Sequence, residues 1–266
     1  MAWTKTKTTV TTGVAVLVLV AMAVAVKLVF FPSVSGAFFQ PNAGKLRQAP
    51  ANVVIIRPTH FANSARSGII STSTQLSGKS VRRILGRDVP LRDIISVAYN
   101  QSPAHIVLPS DAPKGNYDFL VTVSDNPEAR LQSAIKKKLG YTAQKEKRDT
   151  DVLALKIENP NSPGLKVSPD SEKENTDVKN GRLYFTHMLL GVITDGLQQM
   201  LKTPVVDETG LTNFYDFSLV WDTKTQRMLQ NGTMDNETGQ KILAGWGLGL
   251  EPDTASIEML VVKKAN

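Results

Sequence analysis

Apolar positions along this chain run through the same two periods, in the same order, twice. Leu91, Ile94, Ile95 and Ala98 recur at helical spacing, and the alternating strand pattern Tyr117-Asp118-Phe119-Leu120-Val121 follows. Ninety-eight residues on, Leu189, Ile193, Leu197 and Leu201 precede Tyr215-Asp216-Phe217-Ser218-Leu219-Val220. A further helix pattern follows each copy, then a Leu-Gly step (Leu139-Gly140, Leu248-Gly249) and an apolar strand (residues 152–157 and 257–262). A register near 100 residues describes a domain-sized repeat rather than a short solenoid unit. The pattern predicts an α+β protein of two duplicated β-α-β-β-α-β-β modules with helices packed on small sheets.

The first module spans residues 51–157. Its elements are a strand at Val53–Arg57, a long loop or weak hairpin over residues 60–80, and a helix from Pro90. A strand pair over residues 105–109 and 117–123, a helix capped by Asp125 with Glu128 three residues on, and a hairpin of residues 141–147 with 152–157 complete it. Residues 158–181 hold three prolines and four asparagines and read as a linker or crossover loop. The second module, residues 182–266, offers strands at 182–185, 204–206, 215–221 and 258–263, with helices at 188–201 and 237–246.

The N-terminus carries a different pattern. Lys5 and Lys7 precede Gly13–Phe31, 19 residues interrupted only by Lys27 and stopped by Pro32. As a helix this segment reaches about 28 Å, close to the hydrocarbon thickness of a bilayer. Residues 1–32 therefore read as a signal-anchor or transmembrane segment, and residues 33–50 as a tether. The positive flank leaves the N-terminal end in the cytoplasm and the modules outside. The expected location is a bacterial inner membrane, single-pass, with the C-terminal region extracytoplasmic. Small residues at Ala21-Met22-Ala23 and Val34-Ser35-Gly36 supply the competing reading, a secreted protein after signal-peptide cleavage.

Charge divides along the chain: residues 51–157 carry +7 and residues 158–266 carry −5, within a total of +7. The basic residues are scattered and no aromatic stacking platform lies among them, so nucleic acid is not the expected partner. The chain has no cysteine, which removes disulfides, thiol nucleophiles and thiolate metal sites.

Chemistry-bearing motifs are sparse. The three histidines, His60, His105 and His187, are far apart, and neither a metal-spaced pair nor a GxSxG elbow occurs. Asp118 and Asp216 sit at matching positions between aromatic residues, where alternation turns them from the aromatic face toward a backbone amide or a cation. The most specific string, Pro204-Val205-Val206-Asp207-Glu208-Thr209-Gly210-Leu211, reads as a hairpin turn in which Asp207 and Thr209 bond the backbone. Its alternative role is an exposed recognition turn, with Asp207, Thr209 and Asn213 as the candidate binding residues. Trp246, between two glycines, reads as a core plug or a carbohydrate platform. No catalytic constellation, metal site or cofactor site emerges.

Pro204 to Trp221, with Leu248-Gly249-Leu250-Glu251 and Ile257–Val262, resembles the C-terminal signature of a soil-associated bacterial family of unknown function, of acidobacterial and verrucomicrobial type. Leu91–Tyr99 resembles that family's N-terminal helix motif. The Gly-Gly-Pro-x-Trp segment expected near residues 106–113 is replaced by Ile106–Pro113. The resemblance implies an exported or anchored protein with no catalytic residues to carry over. The helix-then-hairpin units are also similar to the short N-terminal modules of secretins and TonB-dependent receptors. The resulting expectation is a membrane-anchored, non-enzymatic module binding or sensing an envelope protein or peptide. The alternatives are an envelope-polymer hydrolase using acidic residues, or a purely structural envelope component.

Overall fold

The computed structural model describes residue 39 and residues 42–61, 67–76, 79–231 and 234–265. The anchor expected over residues 1–32 lies outside them. Among the described residues no helix is long and apolar enough to cross a membrane.

The described residues form a mixed α+β structure with three four-stranded sheets and divide into two compact units. The first unit comprises the described residues through Pro90 together with Gly115–Arg130. It holds helix α1 (Ala43–Arg47) and strands β1 (Val54–Pro58), β2 (Gly68–Leu76), β3 (Lys79–Pro90) and β5 (Asn116–Val121), in sheet order β1-β5-β3-β2. One row across this sheet, Ile55, Leu120, Leu85 and Ile70, is apolar by register. Phe39, Leu46 and Ala49 pack with Leu85 and Leu120. Part of the stretch expected as a tether is therefore core: Phe39 and Leu46 are fully buried, and Asn42 caps α1 through the Lys45 amide. Of the long loop or weak hairpin expected over residues 60–80, the hairpin is the one formed, by the long antiparallel pairing of β2 with β3.

The second unit comprises Leu91–Lys114 and Leu131–Asn266. Its elements begin with α2 (Leu91–Tyr99), β4 (Ile106–Val107) and the larger part of α3 (Pro127–Leu139), then β6 (Tyr141–Ile157), β7 (Leu165–Val167) and β8 (Asn175–Lys179). They continue with β9 (Arg182–Leu189), α4 (Leu190–Leu201), β10 (Val205–Asp207), β11 (Phe214–Val220), α5 (Thr223–Asn231), α6 (Asn236–Ala244) and β12 (Leu248–Lys264). Two sheets result, β10-β6-β12-β4 and β7-β11-β9-β8.

Three expected pairings are corrected here. β6 is one strand of 17 residues, not a hairpin, and it pairs antiparallel with all 17 residues of β12. Residues 147–151 contain no Gly, Pro or Asn to make a turn, and their polarity reflects a ribbon solvated in its middle. β4 does not pair with β5; it joins β12 in parallel, while β5 joins β1 and β3. β10 does not form a hairpin with β11 either. It joins β6 in parallel, in a different sheet. The stretch 158–181, expected as a linker, supplies strands β7 and β8.

The same local device occurs in both units. On β3, residues 87 and 88 face the single residue Asp118, because the register shifts between Gly86 and Val89. On β9, residues 186 and 187 face the single residue Asp216 in the same way. Each is a β-bulge, which leaves one amide without a ladder acceptor. Asp88 (φ 53°) and His187 (φ 56°) occupy the bulges in the left-handed region, and each amide is taken by the facing carboxylate, at 3.1 Å and 2.9 Å. An acid is needed there because the orphan amide has no other acceptor.

The two clamps differ in burial. Asp118 is fully buried and also accepts from the Thr59 hydroxyl, the His60 amide and Arg57 Nε. Asp216 is half-buried. Removing a buried acceptor strands every donor that depends on it. Asp118→Ala should therefore cost about 3 kcal/mol in urea unfolding, and Asp216→Ala should cost less. Equal midpoints for the two variants would show that the extra bonds to Asp118 contribute nothing.

Candidate functional site

The core of the second unit gathers Leu155, Leu190, Ile193, Leu197, Leu243 and Leu248 around Phe217 and Trp246. Phe185 stacks on Phe217 at 4.8 Å, and Trp246 lies tilted against the same ring at 4.9 Å. Trp246 is buried, so it is a core plug rather than a platform, and its Nε1–H donates to the Ser218 carbonyl at 3.1 Å. The indole thus seals one end of an open cleft on β11.

The cleft exists because of two glycines. The loop after β6 is latched to the turn after α6: the Glu158 and Asn159 amides both donate to Gly247 O at 2.9 Å, and Ser162 Oγ donates to Gly245 O. A Cβ on Gly164 would stand 1.9 Å from Gly245 O. One on Gly247 (φ 76°) would stand 2.1 Å from Asn159 O. No side chain fits at either position, so the loop lies directly on the turn. Held there, the chain joins β11 only at Leu165, and β7 pairs with Tyr215–Phe217 alone. Ser218–Val220 are left with β9 on one side and a cavity of about 470 Å³ on the other.

Arg182, Ser218, Lys224, Lys241 and Trp246 line that cavity. Arg182 Nε and Nη2 donate to Ser218 Oγ at 3.1 and 3.0 Å, and no carboxylate among the described residues lies within ion-pair distance of this guanidinium. Lys241 is paired with Glu237, and Lys224 donates to the Thr238 hydroxyl. Leu219, Ile242 and Trp246 also wall a second, apolar cavity of about 230 Å³, which Met200, Met228 and Met234 help to line. A third, of about 440 Å³, lies over the polar sheet face bearing Lys166, Tyr184, Asp216 and Ser218.

Catalytic chemistry does not assemble here. Ser168 Oγ lies 3.3 Å from His187 Nδ1, and Asp216 is bonded to the same histidine, which superficially matches a nucleophile–base–acid series. The carboxylate, however, holds the backbone amide and not the imidazole; Ser168 is buried; and the imidazole stacks on Phe214 at 4.0 Å. A working triad needs the acid on the ring and an accessible hydroxyl. His60 gives its amide to Asp118, and His105 sits between Gln198 Oε1 and Glu258 O. Burial raises the Asp93 carboxyl above its ordinary value, against the opposing charges of Lys202 and Arg92. Among the described residues no cluster of His, Asp and Glu is arranged to hold a metal ion.

The turn residues named from the sequence fall elsewhere. Asp207 Oδ1 accepts from both the Thr209 amide and its hydroxyl, and Thr209 Oγ1 accepts from the Leu211 amide, with Gly210 at φ 68°. Asp207 and Thr209 therefore bond locally, and Asn213 is exposed beside them. None of the three lines the cavities on β11. Arg182, Ser218 and Val220 carried no sequence signal, because an unpaired strand edge depends on which strands stop short.

Two helix N-termini border the cleft, capped by Asp222 (to the Thr225 amide) and Asp235 (to the Thr238 amide), each at 2.7 Å. These bonds hold both carboxyls below the ordinary value of 3.8. A depressed folded value means that the caps act fully above pH 3.8 and fail as pH falls through the folded value. Amide exchange at Thr225 and Thr238 should therefore stay protected down to that range and then open. In Asp222→Asn the Thr225 amide should lose that pH dependence while Thr238 keeps it.

A family model described as "Protein of unknown function (DUF3738)" matches residues 92–265. No curated protein and no solved structure matches the chain.

Proposed function

The chain belongs to that family of unknown function, and we propose that it is a non-enzymatic module that binds or senses a protein or peptide of the bacterial cell envelope. In this reading the segment Gly13–Phe31 holds it to the inner membrane with the folded part outside. The observation that carries the binding role is the cleft on β11: an unpaired strand edge between a guanidinium without a carboxylate partner and an apolar pocket. Pockets with an apolar wall and a few convergent polar groups are the usual form of binding sites.

The repeated pattern supports a second part of the proposal, that the two halves are copies of one unit. The sheets β1-β5-β3-β2 and β7-β11-β9-β8 have the same internal order, and the aspartate clamp recurs at matching positions. Similarity to the short modules of secretins and TonB-dependent receptors agrees with a role in protein contact, as fold-level analogy. A hydrolase would need two free acids converging on one cleft. Asp216 and Asp222 line neighbouring cavities, and each already accepts a backbone amide.

Two measurements test the reading. In intact inner-membrane preparations, protease added from the outer side should digest the folded part and leave a short membrane fragment; mature protein beginning near residue 26 or 37 would replace the anchor with secretion. Envelope peptides incubated with the full chain should be recovered bound and at unchanged mass. Turnover of any of them would end the non-enzymatic reading.

A further inference from the structure

We propose that the β11 edge at Ser218–Val220 takes up an extended peptide as an added strand, and that the peptide carries an acidic residue next to an apolar one. This rests on the binding reading above and deepens it by naming the geometry and chemistry of the ligand.

The first unit supplies the comparison. There the edge strand β1 runs the full length of β5, from Pro58 opposite Tyr117 to Val54 opposite Val121. Beyond it, Thr122 exchanges both backbone bonds with the incoming chain: its amide donates to Val53 O at 2.9 Å, and its carbonyl accepts from the Asn52 amide at 3.2 Å. The facing aspartates, Asp118 and Asp216, fix the correspondence of the two strands, and by that register Val220 stands where Thr122 stands.

In the second unit the edge strand is short. β7 covers Tyr215–Phe217, and the latch on Gly245 and Gly247 keeps Pro163 and Gly164 from continuing it. The Trp221 amide donates to Gly181 O at 2.8 Å, toward β9. Backbone groups of successive strand residues point to opposite sides, so those of Ser218 and Val220 point into the cleft. The indole of Trp246 occupies Ser218 O, and Val220, 54% exposed, has no strand facing it on that side. An unpaired edge of this kind is a template for a further strand.

Side chains on an added strand alternate between the two sheet faces. On the face that Ser218 shares with Arg182, the guanidinium rests its Nε and Nη2 on that neutral hydroxyl and leaves Nη1 for a carboxylate. On the other face Leu219, Ile242 and Trp246 lead into the methionine-lined pocket of about 230 Å³, room for one large apolar side chain. A fatty acid could satisfy the same cation and pocket. It would leave the Val220 amide and carbonyl unpaired, and the cavity beside Ser218–Val220, at about 470 Å³, is twice the methionine-lined one. The peptide is therefore the better fit.

The test is calorimetric titration of the full chain in detergent with the peptide Thr-Asp-Leu-Thr-Asp-Leu-Thr, its Gln-for-Asp analogue, and decanoate. The acidic peptide should bind, and the Gln analogue should bind about tenfold more weakly. Arg182→Gln should remove that difference between the two peptides while leaving the weaker affinity. Val220→Pro deletes one edge amide without touching the β9 pairing; it should cut affinity at least tenfold with the melting temperature within a few degrees of wild type. A Val220→Pro variant that binds the peptide as wild type does would overturn strand addition, as would decanoate binding with no peptide binding. Self-association of the unliganded chain that Val220→Pro abolishes would assign the edge to a second copy and overturn the peptide. Failure of these peptides while another envelope peptide is bound unchanged would leave the broader binding role standing; cleavage of a bound peptide would remove that role as well.

Discussion

The paired ribbon of β6 and β12 is the constraint on which the second unit depends. Seventeen residues on each strand face one another, a length of roughly 55 Å at 3.3 Å per residue. Near one end Leu155 and Leu250 enter the core, and along much of its length the ribbon is solvated on both faces. A two-stranded ribbon is weak alone. Here each strand is flanked by a short parallel partner, and both ends are fastened by apolar burial. The latch on Gly247 lies immediately before β12, so the ribbon's position also determines where the loop after β6 can run. The open edge of β11 is therefore a product of the ribbon and not of β11's own sequence.

Elements whose signal is local were legible in the chain. α2 was marked by Pro90 and a stripe at Leu91, Ile94, Ile95 and Ala98, all but Pro90 buried in the fold. The aspartates at 118 and 216 were assigned to backbone amides or cations from alternation alone, and both accept a bulge amide. Trp246 was read as a plug, and burial places it so. In each case a residue's immediate neighbours carried the information.

Pairing was not legible, because it depends on partners far away in the chain. Ile106–Val107 was given to its nearest strand and instead joins residues more than 150 positions later. Residues 141–157 were broken at a polar stretch whose polarity comes from solvation on both faces, a feature that imitates a turn. β8 has no buried residue and carries no apolar period, so it reads as linker. The cleft follows the same rule: among the described residues Arg182 has no carboxylate beside it and Val220 no strand on its cleft side. Absences of this kind become visible only once every neighbour has been placed.

One feature of the central sheet reaches beyond that sheet. β4 precedes the loop of residues 158–164 and lies on β12, which follows it, while β10 follows that loop and lies on β6, which precedes it. Neither half keeps its own edge strand; each lends it to the other. A chain cut between Ile157 and Leu165 would give two fragments whose longest strands find their partners only in one another. Such fragments are expected to complement in trans, because each leaves a 17-residue strand without its backbone partner until the other fragment supplies it.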